Sequence, residues 1–127
     1  MLTVQETFTI AKDHLLKQGA KASEPGSSTC YYRRPDGKKC PVGALIQDAY
    51  YSPSLEGRGV SSLDVRLALR QSGVPVEVGA EKDKPVMVLL SLLQRIHDLR
   101  PVEEWGSALR ALAAEELLKY DYVVGAE

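Results

Sequence analysis

The stretch 85–100, PVMVLLSLLQRIHDLR, narrows the choice of folds more than any other part of the chain. At helical spacing Val86, Leu90, Leu93 and His97 form one stripe and Leu89, Leu92 and Ile96 the next, leaving Ser91, Gln94, Arg95 and Asp98 for the remaining face. A helix apolar around so much of its circumference needs neighbours on two or three sides, because one amphipathic contact would leave a leucine stripe in water. It is too short, and too charged at its end, to cross a bilayer. The spacing therefore predicts a central helix that Pro85 opens and Pro101 ends.

The remaining segments supply its neighbours. With 127 residues, 44% of them hydrophobic, the chain suffices for one core and a single domain, 1–127. Thr3 and Glu6 have capping-box spacing, and Val4, Phe8, Ala11 and Leu15 then repeat at helical intervals as far as Gly19. Residues 19–29 are small, polar and Pro/Gly-bearing, and read as a loop. Segment 30–40, CYYRRPDGKKC, reads as a β-hairpin with strands at about 29–34 and 38–41 around Pro35-Asp36-Gly37. A three-residue turn there sets Arg34 opposite Lys38 and Tyr32 opposite Cys40, with Cys30 on the same face; a two-residue turn would put the two thiols on opposite faces.

A short helix follows over 41–50, then an irregular connection over 51–60. Ser61 or Ser62 caps a third helix that turns Leu63, Leu67 and Leu69 inward and closes at Ser72-Gly73. Residues 74–79 alternate as an edge strand would. A last helix over 102–118 places Trp105, Leu109, Leu112 and Ala113 on one side, and the tail 120–127 adds a strand or frays. The expected class is α+β: a mostly helical domain of about five helices, with one hairpin packed beside the 85–100 helix.

Acidic and basic residues nearly cancel, for a formal charge of −1, which argues against extended nucleic-acid binding or attraction to an anionic membrane. The N-terminus, with an early acid and no uninterrupted apolar core, does not read as a secretory signal, so a cytoplasmic location is expected and the two cysteines are expected as thiols. No Gly-rich phosphate loop, dinucleotide fingerprint, Gly-x-Ser-x-Gly elbow or paired-histidine zinc helix occurs, and no cofactor is expected.

Four features bear on chemistry. Cys40 stands at a helix start beside Lys38 and Lys39, a setting that raises the thiolate fraction and suits a nucleophile, although a small buried cysteine filling a corner needs the same position. His97 lies on the inward stripe and could serve Cys40 as general base. Asp98 looks ill-placed to orient that ring, since adjacent helical residues point about 100° apart, which leaves Asp48 or Glu56; otherwise His97 is a structural histidine bonded to a carbonyl or to Tyr32. A metal held by Cys30, Cys40, His97 and a carboxylate is a third reading, but nine residues separate the cysteines, where zinc sites typically leave about two to four. Last, Tyr31, Tyr32, Arg33, Arg34, Lys38 and Lys39 interleave aromatic faces with cations, as a phosphate-bearing ligand would require, though solvated hairpin tips are also lysine-rich.

The runs Cys30-Tyr-Tyr-Arg, Asp36-Gly-Lys-Lys-Cys-Pro-Val-Gly-Ala-Leu-Ile-Gln-Asp48, Tyr51 with Leu55-Glu-Gly57, and Leu93-Gln-Arg-Ile-His-Asp98 before a Trp-bearing helix together resemble a family of small phage and bacterial proteins. The resemblance covers most of the chain. It implies a genomic setting and adds weight to Cys40, Asp48, Glu56, His97 and Asp98 as a group. The leading expectation is a small non-catalytic accessory protein that inhibits a protein partner or sequesters a phosphate-bearing ligand through Tyr31, Tyr32, Arg33, Arg34, Lys38, Lys39, Glu56, Arg58 and Asp98, with homo-oligomerisation open. The alternatives are a thiol enzyme using Cys40 and His97, and a structural metal-binding protein.

Overall fold

The computed structural model describes residues 1–23, 31–76 and 85–114. Among them lie five α-helices, α1 (Val4–Gln18), α2 (Pro41–Leu45), α3 (Leu63–Gln71), α4 (Pro85–Leu99) and α5 (Trp105–Leu112), with 3₁₀ turns at Asp48–Tyr50, Pro53–Leu55 and Val102–Glu104. Thr3 starts α1 by accepting the Glu6 N–H at 3.0 Å while its own N–H donates to the Glu6 carboxylate at 2.8 Å. Gly19 ends it at φ 61°, returning its N–H to the Leu15 carbonyl, a left-handed cap that a β-carbon would strain.

The leucine-rich helix is central. α4 packs against α1, α2 and α5, and Val86, Leu89, Leu90, Leu93 and His97 are all buried. Burying each such aliphatic side chain contributes about 1.5–3 kcal/mol against chain entropy, which is why the surrounding short helices can be held at all. The second stripe is less covered. Leu92 and Ile96 are half-buried along a groove of about 300 Å³ that α4 and α5 share, and Leu99 beside it is 70% exposed.

No β-strand forms among the described residues, so the α+β class and the hairpin at about 29–34 and 38–41 are corrected to a mostly helical fold with a loop at that place. The turn itself is present: Gly37 takes φ 92°, and the Arg34 N–H donates to the Lys38 carbonyl at 2.8 Å. One antiparallel bridge, Arg33 to Lys39, follows it and the ladder stops. The reason lies in competing acceptors. The Tyr32 and Arg33 N–H groups go to the Glu56 carboxylate at 3.0 and 3.1 Å, and Tyr31 N–H goes to the Ala22 carbonyl. Lys39 gives its N–H to Gln18 Oε1 at 2.8 Å and receives Gln18 Nε2 on its carbonyl at 3.0 Å. The backbone N–H groups of Tyr31, Tyr32, Arg33 and Lys39, and the Lys39 carbonyl, are thus already paired from the side.

Other differences are local. α2 ends at Leu45 instead of reaching Tyr50, because the Ile46 carbonyl accepts Arg33 Nη2 at 2.6 Å and the Gln47 N–H donates to Ser72 Oγ at 2.8 Å. α3 is capped by Ser62 but turns Val65, Ala68 and Leu69 inward, leaving Leu63 and Leu67 52% and 39% exposed. That rotation brings buried Ser72 onto the same stripe, where its hydroxyl also donates to the Ala68 carbonyl. Of the expected 74–79 strand, Val74 and Val76 are buried without strand pairing, and 77–79 lie outside the described residues. The last helix opens with a 3₁₀ turn at Val102–Glu104 before α5 begins at Trp105, and its expected end, the 120–127 tail and Cys30 also lie outside them.

Candidate functional site

Glu56 organises the surface beside the 31–34 segment. The 3₁₀ turn Pro53–Leu55, capped by Ser52 and anchored by buried Leu55, delivers its side chain toward the chain that precedes α2. There the carboxylate accepts three donors: the Tyr32 N–H, the Arg33 N–H, and the Tyr51 hydroxyl at 2.6 Å. Burial first, and the bond to Glu56 second, push the Tyr51 phenol up to about 12. The Arg33 guanidinium lies over the Tyr51 ring at 4.6 Å, pairs with Asp48 at 2.8 Å and donates to the Ile46 carbonyl. Its side chain is only 17% exposed. Asp48 and Glu56 therefore bind the arginine segment.

Arg34 repeats the arrangement one residue on. Its guanidinium lies 5.7 Å from the Tyr31 ring centroid and 3.4 Å from Asp36, whose carboxylate also takes Lys38 Nζ at 3.0 Å. The Lys38 backbone N–H, reinforced by its ammonium, holds the Asp36 carboxyl below the usual carboxylate range. Between the two Tyr/Arg pairs runs a cleft of about 470 Å³ lined by Tyr31, Arg33, Arg34, Pro35, Tyr51, Pro53 and Glu56. Four of the expected binding residues meet there. Tyr32, Arg58 and Asp98 line a second cleft of about 340 Å³ with Gln94, Gly57, Gly59 and Val60. Tyr32 donates its hydroxyl to the Arg58 carbonyl at 2.5 Å, and Arg58 Nε lies 3.5 Å from Asp64. Lys38 and Lys39 line neither of these two clefts.

Cys40 is fully buried as the N-cap of α2, its Sγ accepting the Gly43 N–H at 3.4 Å. His97, also fully buried, stacks on Trp105 at 5.6 Å between ring centroids. Its Nε2 accepts the Ala22 N–H at 2.9 Å and its Nδ1 lies 2.7 Å from Asp98 Oδ1. The assignment of Asp98 as ill-placed is corrected: neighbouring Cα atoms are only about 3.8 Å apart, and rotation about χ1 brings a short carboxylate to the ring nitrogen nearest its own backbone. These hydrogen bonds join His97 to Ala22 and Asp98, and Cys40 to Gly43. Among the described residues no three His, Cys, Asp or Glu side chains gather as a metal site.

Sequence reasoning missed Tyr51, Pro53 and Asp36 as parts of the site, and Gln18, His14 and Gln94 as its supports. His14 Nε2 is bonded to the Lys39 carbonyl at 2.9 Å, and Gln94 Oε1 accepts the Val42 N–H at 3.1 Å at the start of α2. The signal for Tyr51 was present: an aromatic residue in a Pro/Ser-rich connection, five positions before a lone glutamate. No family model, curated protein or solved structure matches this chain.

Proposed function

We propose that this chain is a non-catalytic binding protein, of the accessory kind found in phage and bacterial genomes, whose working surface is the cleft between residues 31–35 and 51–56. Its occupant is an extended segment of a protein partner. The observation that carries this reading is the ready-built cleft with Tyr31, Tyr51, Pro35 and Pro53 in its walls. Its volume of about 470 Å³ falls in the range of binding pockets, about 300–1,000 Å³. Rigid rings offer contact area at low entropy cost, and aromatic-lined grooves are what extended, proline-bearing segments dock against.

Charge favours a peptide over a phosphate. Arg33 is paired with Asp48, and Arg34 and Lys38 share Asp36, so an incoming phosphate would have to displace a carboxylate already in place. Random short peptides displayed against the immobilised chain test the proposal. Selected sequences are expected to be rich in proline and aromatic residues and to lose at least about tenfold in affinity for Tyr31→Ala or Pro53→Ala, with the circular dichroism of both variants unchanged. Equal binding to wild type and variants overturns the reading, as does a titration with inorganic phosphate or a nucleoside monophosphate that shifts the Arg33 and Arg34 side-chain resonances.

A further inference from the structure

A hydrogen-bonded path runs from the buried imidazole of α4 to the cleft. His97 Nε2 accepts the Ala22 N–H at 2.9 Å, and the Ala22 carbonyl accepts the Tyr31 N–H at 2.8 Å. Ala22 is itself fully buried, so it cannot shift without repacking its neighbours. A backbone N–H can only donate. Nε2 must therefore carry a bare lone pair, and the one ring proton sits on Nδ1 facing Asp98. The neutral ring is the form that fits.

From this geometry we infer that His97 is a positioning residue for the cleft: uncharged, it holds Tyr31 in place through Ala22, and on protonation it releases Ala22, so the cleft loses its occupant as pH falls. The inference rests on the cleft being the binding surface. A second proton could only arrive at Nε2, where N–H would then face N–H and the bond to Ala22 would be lost. The linked arrangement binds one proton fewer than the released one, so it is favoured as pH rises and lost as pH drops.

Charged groups around the ring pull both ways. Asp98 on α4 draws the proton in, while the ammonium of Lys21, 3.4 Å from the Asp98 carbonyl, opposes it. Trp105 presents an uncharged ring, α2 carries no charged residue, and Lys12, the cation α1 turns inward, is paired with Asp13. Histidine is the side chain whose charge changes in the physiological range, and burial between helices makes that change mechanical.

The test uses the full, isotope-labelled chain without ligand, from about pH 8 to about pH 5, either side of the ordinary histidine range. Protection of the Ala22 and Tyr31 amides, corrected for intrinsic exchange, is expected to fall about tenfold toward acid in the wild type. In His97→Gln, whose Oε1 accepts but does not titrate, it should stay flat, and His14→Gln should follow the wild type. Should His97→Gln not fold, the imidazole ¹⁵N shift of wild-type His97 serves instead: a proton arriving at Nε2 in step with the Tyr31 amide shift supports the inference. Amides that ignore pH, or that respond alike in wild type and His97→Gln, overturn it and leave peptide binding untouched. A selected peptide should bind about tenfold more weakly at the acid end in the wild type only; peptides indifferent to Tyr31→Ala would instead remove the binding reading while the amide response remained.

Discussion

A methyl group placed on Gly43 would sit 1.8 Å from the Tyr32 carbonyl oxygen and 2.6 Å from its carbon. Both obstacles are backbone atoms, and Tyr32 is fixed by its N–H on Glu56 and its hydroxyl on the Arg58 carbonyl. Neither partner can step aside cheaply. Gly43→Ala is therefore expected to lower unfolding free energy by about 2–4 kcal/mol, toward the severe end of overpacking, despite the better helix propensity of alanine. Urea denaturation measures it, and a loss within the range of ordinary surface substitutions would contradict this packing. The same residue closes the corner around Cys40, which is fully buried and whose sulfur accepts the Gly43 N–H.

At the scale of elements, the 31–34 segment and the turn Pro53–Leu55 form one unit with Glu56 as its tie. A tyrosine held neutral by that tie resists ionisation. Tyr51 is expected to titrate near 12, and its phenol keeps the unit together until then. Its ionisation is raised in the folded protein, so the stabilisation is complete below the unfolded value, about 10, and disappears as pH climbs through about 12. Absorbance titration of wild type against Tyr51→Phe shows this: the variant should lose one phenolate step near 12, and an unchanged profile there would refute the assignment.

The helices were legible in the sequence because each carries its own periodicity and caps, as Thr3, Glu6 and Gly19 do for α1 and the leucine stripes do for α4. The pairing partners of 31–33 and of Lys39 were not, because Ala22 and Glu56 for the former and Gln18 for the latter lie outside the segment and obey no local pattern. A strand signal of aromatic residues around Pro-Asp-Gly is real, yet it states only that the backbone is extended, not what satisfies it. For the same reason Tyr31, Arg33, Arg34 and Glu56 could be named as a set without showing that three of the nearby cations are matched by carboxylates.

Across the whole molecule, one core surrounds α4, and Cys40 belongs to it. In a Cys30→Ser background, iodoacetamide should label Cys40 only as fast as the chain opens, so its rate should rise with urea in step with global unfolding and stay orders of magnitude below that of an unfolded thiol in water. Rapid labelling of the folded protein near neutral pH would favour the thiol-enzyme alternative. The core also leaves the segment around Lys39 lying at the surface in extended form, where an uncovered edge would ordinarily recruit a strand from another molecule. Gln18 occupies that edge by imitating a peptide group, its carboxamide offering one acceptor and one donor to the same residue as a neighbouring strand would. A single side chain thereby stands where a strand would, and an incoming edge would first have to displace that amide from both backbone groups of Lys39.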